Sequence, residues 1–475
     1  MLSTPAPQSN PPIQTAVLAP SAVRVALVCA FAVLWTIWMQ PHTIAIRHLV
    51  LTLGSLLGLY VIGQNPRLLW TKSARPIAVV ALLLAWITFH LFFLSHNYAL
   101  QLEEYLTIWK RIAWGIPFAL GLGIALGADE SVQNPDQLAA NNQGLASGKC
   151  WWIFYLGILM PTLIYLLRAS LMMLATKAGW QLPDALANLY PPSTWYIPKT
   201  SYVFFCLPAL AIACSQLRCI MALQTKARMK LALLYGLSVA AVLAVFYMEN
   251  IKNGMVYALL IVMFFAVKVI WAKKGRWNAR SLLVACALAA CMIVLVMHHI
   301  QKNDSWKTLF ADIKVARQLD QIDSWKYYGA KGYPLNEFGK PVSETNYERA
   351  AWAQVVLGFI QEMPQGYGLV LESFGHRAKE KWPDSRLLQS HSGWLDLTFG
   401  IGIPGVFLML LAALMALKTA RNAQSPNWSR IGTAMLLSMG LLMTTTEVSQ
   451  RTYLDALLFT ILWLAGLGLQ PSKRG

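Results

Sequence analysis

Long apolar runs separated by short polar connections fill residues 23–300 and resume over 398–470, while the stretch 301–396 between them is polar. A helix needs about 20 apolar residues to cross the roughly 30 Å of hydrocarbon in a bilayer, and about twelve runs meet that length. They fall at 23–39, 47–63, 77–95, 109–127, 151–174, 201–221, 229–248, 254–271, 281–300, 398–418, 429–446 and 453–470. The pattern predicts an all-α polytopic membrane protein with about twelve transmembrane helices and a long helical loop between spans nine and ten. Residues 1–22 read as a disordered N-terminus, 23–300 as spans one to nine, 301–396 as the loop, 397–470 as spans ten to twelve and 471–475 as a tail.

Inside the loop the period changes. Thr345-Asn346-Tyr347-Glu348 reads as a capping box, and Trp352, Val355, Val356 and Phe359 follow at helical spacing, which predicts an amphipathic helix. Pro364-Gln365-Gly366-Tyr367-Gly368 then permits a tight turn. Ser390 is placed to cap a second helix starting at His391, which Gly400-Ile401-Gly402-Ile403-Pro404-Gly405 breaks at the membrane surface.

Composition excludes one soluble core: with 57% hydrophobic and 13% charged residues, apolar side chains outnumber the interior positions of a single domain. The formal charge of +18 does not form a nucleic-acid surface, because the basic residues sit in short clusters between apolar runs. Arg67, Lys72 and Arg75; Arg218, Lys226, Arg228 and Lys230; Lys273, Lys274, Arg276 and Arg280; and Lys418, Arg421 and Arg430 mark four connections without acids, and Lys473 and Arg474 close the tail. By the positive-inside rule these face the cytoplasm, against one dissenting connection at 128–149. The loop 301–396 and the connections near 96–110, 176–200, 248–254 and 446–455 are then expected on the outer face. The seven cysteines lie in or beside apolar runs without metal-ligand spacing, so neither a disulfide framework nor a zinc site is expected. Residues 1–20 lack the basic region and cleavage site of a signal peptide, so the first run reads as a retained anchor.

Three outer motifs carry candidate chemistry. Lys252 sits in the short turn Glu249-Asn250-Ile251-Lys252-Asn253-Gly254, where a snorkelling lysine is the bland alternative. Arg349 occupies the first turn of the amphipathic helix, where the dipole disfavours a cation. His391 follows Ser390; a lone histidine is commonly structural. Lys110, Arg111, Arg168, Lys199 and Arg451 are further outward or boundary cations with a possible substrate role, set against interfacial snorkelling.

Together these motifs resemble the O-antigen ligase/polymerase superfamily of bacterial membrane glycosyltransferases, and within it the O-antigen ligases. The matching features are Arg349 in a loop helix, the 364–368 turn, His391 and the 400–405 return into lipid, over about 250–410. Two positions depart: Ser392 stands where the family often has Asn, and Lys252 where it often has Arg. The resemblance implies a GT-C-like fold in the bacterial inner membrane and a site facing the periplasm. It implies transfer of a polysaccharide from undecaprenyl diphosphate to lipid A–core, with inversion and with no cofactor. His391 and Arg349 are then catalytic and Arg349 and Lys252 bind diphosphate, with His391 either a base or a hydrogen-bond donor to the diphosphate. No DxD motif occurs, so cationic side chains are expected in place of a metal. An O-antigen polymerase or protein O-oligosaccharyltransferase shares the donor; the short tail favours the lipid acceptor. A transporter or flippase would place charges mid-span along a pathway, and most spans here lack them.

Overall fold

The computed structural model describes residues 19–127, 148–187, 193–222, 227–271, 304–421, 426–445 and 451–469, with scattered helical positions between 283 and 301. Half of the expected ninth span, 281–300, thus lies outside the described residues. Among those described, the structure is helical, with one isolated bridge, Leu335 to Pro341, and no strand.

The first helices are α1 (Ser21–Trp38), α2 (Ile44–Gln64), α3 (Arg75–Phe93), α4 (Tyr98–Glu104) and α5 (Lys110–Gly127). Next come α6 (Lys149–Ala178), α7 (Lys199–Ala222), α8 (Ala227–Met248) and α9 (Lys252–Trp271). The polar stretch holds α10 (Leu309–Ala316), α11 (Glu344–Glu362) and α12 (Ser373–Lys381). The chain closes with α13 (Gly393–Arg421), α14 (Pro426–Leu442) and α15 (Arg451–Leu467). Among the described residues seven helices, α1, α2, α3, α6, α7, α8 and α13, are long and apolar enough to cross a membrane. Helices α5, α9, α14 and α15 stand where four further spans are expected. The protein is a helical membrane protein.

Two kinds of contact build the bundle. Aromatic rings fill its centre: Phe31 of α1 stacks on Phe154 of α6 at 4.6 Å, and Trp463 of α15 meets Phe154 at 5.2 Å. Small residues bring backbones together at its side, where α2 crosses α5; a Cβ on Gly121 would overlap the backbone of Gly58. The opposite face of α2 carries Leu49, Leu53, Leu56 and Leu59, each at least half exposed, a stripe suited to hydrocarbon.

The polar stretch has its own core, in which Trp325, Tyr347, Trp352, Phe359 and Phe374 are buried together with Phe399 of α13. Trp352, Val355, Val356 and Phe359, the apolar positions read from the sequence, all face that core. Two expectations fail here. Helix α11 starts at Glu344, so Thr345 lies inside it and caps nothing. Its first turn is held by the buried carboxylate of Asp312 on α10, which accepts from Ser343 N at 3.2 Å, Asn346 Nδ2 at 2.9 Å and Thr308 Oγ1 at 2.7 Å. A carboxylate at this end also suits the helix dipole. Helix α13 starts at Gly393 and not at His391, which adopts a left-handed φ of 58° ahead of it. Its first turn therefore begins before residue 397, the boundary expected for the tenth span.

Candidate functional site

The end of the bundle that carries the polar stretch is fixed by contacts between helix termini. Trp394, at the start of α13, donates its backbone N–H to Met443 O at 3.1 Å and its indole N–H to Gly440 O at 3.0 Å, beside the end of α14. Asn253, at the start of α9, donates to Thr445 Oγ1 at 3.3 Å. Lys199, opening α7, donates to the carbonyl of Glu249 at 2.7 Å. Tyr453 of α15 shares a hydrogen bond with Ser201 of α7 at 2.7 Å, and Arg111 of α5 pairs with Asp455 of α15 at 2.6 Å. The starts of α5, α7, α9, α13 and α15 and the ends of α8 and α14 thus meet at one polar end.

Lys252, Arg349 and His391 come together along α11. The turn before Lys252 closes on Asn250, whose φ of 52° suits the left-handed tolerance of asparagine. Lys252 Nζ donates to Ser305 Oγ, and the Ser305 carbonyl accepts from Asn346 Nδ2 of α11 at 2.6 Å. Arg349 follows one turn later, and its charge reaches Lys252 and Tyr257. Burial first, and the Arg349 guanidinium second, hold the Lys252 ammonium below the ordinary lysine range. Trp352 is a further turn on and stacks on His391 with ring centroids 5.3 Å apart and planes at 19°. Three sequence motifs, spread over residues 252–391, therefore meet at α11, with Lys252 and Arg349 within electrostatic reach of each other.

The loop carrying His391 is closed by Asp396, whose Oδ1 accepts from Ser390 N at 2.9 Å while its own N–H donates to Ser392 O at 2.8 Å. The 364–368 turn and the glycine return interlock. Tyr367 N donates to Phe399 O at 2.7 Å, Gly368 N to Gly400 O at 2.8 Å and Ile403 N to Pro364 O at 2.9 Å. Underneath, the buried Glu104 carboxylate accepts from Val370 N at 2.6 Å and Leu371 N at 2.8 Å. His90 contributes a 3.2 Å hydrogen bond with Gly366 O, and Gln101 supports His90 at 3.1 Å. This pedestal from α3 and α4 fixes where α11 ends and α13 begins.

The remaining cations fall into two groups. Arg168 is buried on α6 and, like Glu249, acts electrostatically on Tyr202. Glu249 also accepts from Tyr165 Oη at 2.8 Å, so Arg168 and Lys199 gather around a buried acid just before Lys252. Lys110 and Arg111 instead line a cavity with Arg47 and His48 of α2. The side chain of Arg451 lies outside the described residues. Sequence reasoning passed over Asp312, Glu104, His90, Gln101 and Arg47. The detectable signal was one of isolation at Asp312, a carboxylate between Ala311 and Ile313 that has to be satisfied if buried.

No protein-family model matches the chain, and no curated protein matches it.

Proposed function

We propose that the protein transfers O-antigen polysaccharide from undecaprenyl diphosphate to a sugar hydroxyl of lipid A–core, at the periplasmic face of the bacterial inner membrane. The observation that carries this reading is the convergence of Lys252, Arg349 and His391 along α11 at one end of a membrane bundle. Two neighbouring cations repel, and an arriving diphosphate relieves that repulsion. As the bond from the anomeric carbon to the phosphate oxygen breaks, its electron pair stays on the diphosphate, and the growing charge meets the Arg349 fork and the Lys252 ammonium. The acceptor oxygen forms the new bond to the anomeric carbon from the opposite face, inverting it. Its proton passes to His391, the one imidazole in this group. In this reading side-chain cations do the electrostatic work that a divalent metal does elsewhere, and activity persists with chelator present.

Arg349→Ala and His391→Ala, each inserted at wild-type level, are expected to leave lipopolysaccharide without its O-antigen ladder while carrier-linked polymer accumulates. Normal ladders in both variants overturn the assignment. Offering membranes lipid A–core, a second carrier-linked glycan or a pilin-type protein as acceptor separates a ligase from a polymerase or a protein-directed transferase.

A further inference from the structure

Away from Lys252, Arg349 and His391, the polar end of the bundle holds a cavity of about 760 Å³ between α2, α5 and the start of α15. None of those three residues lines it. Its charged lining is unbalanced: among the described residues Arg47, Lys110 and Arg111 face one carboxylate, Asp455, leaving two formal positive charges before His48 is counted. Arg111 Nε spends one donor on Asp455. Its Nη2 is buried and makes no hydrogen bond. Arg47 Nη1 donates to Trp38 O at 3.3 Å, and its buried Nε likewise makes none. Arg47 also lies within electrostatic reach of Arg111. Two guanidinium groups with spare donors, within electrostatic reach of each other beside one cavity, are arranged for an anion with several acceptor oxygens.

One helical turn from these cations the lining is apolar and exposed. Ile44 is 62% exposed, Leu106 52% and Trp114 53%. A soluble anion has no use for such a wall; a hydrocarbon chain does.

We propose that this cavity binds the phosphate headgroup of a membrane lipid, a phosphomonoester or a diphosphate, with the anion on Arg47, Lys110 and Arg111 and the chain leaving past Ile44, Leu106 and Trp114. The claim does not depend on the reaction proposed above. It assigns the molecule a second lipid site, at the same end as the first group of cations and built from different helices.

The test uses the full chain purified in a neutral detergent, with ligand retention measured by native mass spectrometry. Four probes separate the chemistry: farnesyl diphosphate, lysophosphatidic acid, inorganic pyrophosphate and an uncharged monoacylglycerol. At least one of the two phosphate lipids is expected to bind at least tenfold more tightly than pyrophosphate and monoacylglycerol, and which one binds identifies the headgroup. Arg47→Gln combined with Lys110→Gln is expected to weaken that lipid at least tenfold, and the exposed Lys110→Gln alone about threefold. Lys110→Gln guards against a double variant that does not fold. An Arg349→Ala protein, whose reaction centre has lost its diphosphate fork, is expected still to retain the lipid, and adding Arg47→Gln with Lys110→Gln in that background to remove it, which separates this cavity from the reaction centre. Unchanged affinity in the double variant, monoacylglycerol binding as tightly as the phosphate lipids, or loss of binding in Arg349→Ala each overturns the proposal.

Discussion

The indole of Trp352 stacks on the imidazole of His391 with ring centroids 5.3 Å apart, and Tyr328 also stacks on it at 5.4 Å. The indole N–H is spent on Trp325 O at 2.9 Å, so the ring cannot turn without breaking a buried hydrogen bond. Through this stack, α11 sets the plane in which His391 meets a substrate. Trp352→Leu is expected to lower turnover about 100-fold by releasing the ring, in line with the cost of small misplacements of reacting groups. Trp352→Phe keeps the stacking face and loses the indole hydrogen bond, at a stability cost of about 1 kcal/mol, and is expected to keep most activity. Transfer assays on both variants at matched expression decide it; wild-type turnover in Trp352→Leu would mean that the stack positions nothing.

Gly402 and Gly366 hold the interlock between the 364–368 turn and the return into the membrane. Gly402 has φ 77° and ψ 166°, a region almost closed to residues with a side chain. A Cβ there would also collide with the Gln365 carbonyl, and one on Gly366, at φ 99°, with the backbone of Gly402. Strain and collision add, so Gly402→Ala is expected to cost at least about 2 kcal/mol. The damage should be local, because the bundle core of Phe31, Phe154 and Trp463 is built from other helices. Limited proteolysis should therefore cut the 364–392 region of the variant faster while the rest of the chain stays intact. Equal cutting rates in variant and wild type would show that the backbone accommodates the methyl group.

Helix positions were legible in the sequence wherever one local signal decided them. Apolar length marked α1, α2 and α3; the spacing of Trp352, Val355, Val356 and Phe359 marked the buried face of α11; and Gly402 marked the break in α13. What escaped was set by partners distant in the chain. Thr345 has the local pattern of a cap, but Asp312 reaches across from α10 and takes that part, so a long-range hydrogen bond overrode a short-range motif. Arg47 drew no reading at the start of its apolar run. Only the crossing of α2 and α5 turns it towards Arg111. Lys252, Arg349 and His391 could be read as candidates one by one, whereas the link from Lys252 to α11 runs through Ser305, a residue with no motif of its own.

Glu348, next to Arg349 on α11, makes the polar stretch sensitive to pH. Its side chain is 3% exposed and accepts from Tyr333 Oη at 2.9 Å. Burial pushes its carboxyl up from 4.5 to about 7; the Tyr333 hydroxyl pulls the other way and the Glu344 charge adds to the rise. Between those two values the folded protein keeps a proton that the unfolded chain has released. The contribution of Glu348 to stability is therefore greatest below about pH 4.5, falls as pH rises through 7 and is flat beyond it. The loss amounts to about 1 to 3 kcal/mol, the lower figure allowing for screening by nearby water. Glu348→Gln keeps an acceptor for Tyr333 and cannot ionise, so it should remove this slope while preserving the low-pH stability. Hydrogen exchange of the α11 amides, corrected for intrinsic rates, measures it: wild type should lose protection between pH 5 and 8 and the variant should not. Parallel losses in both proteins would place the titrating group elsewhere.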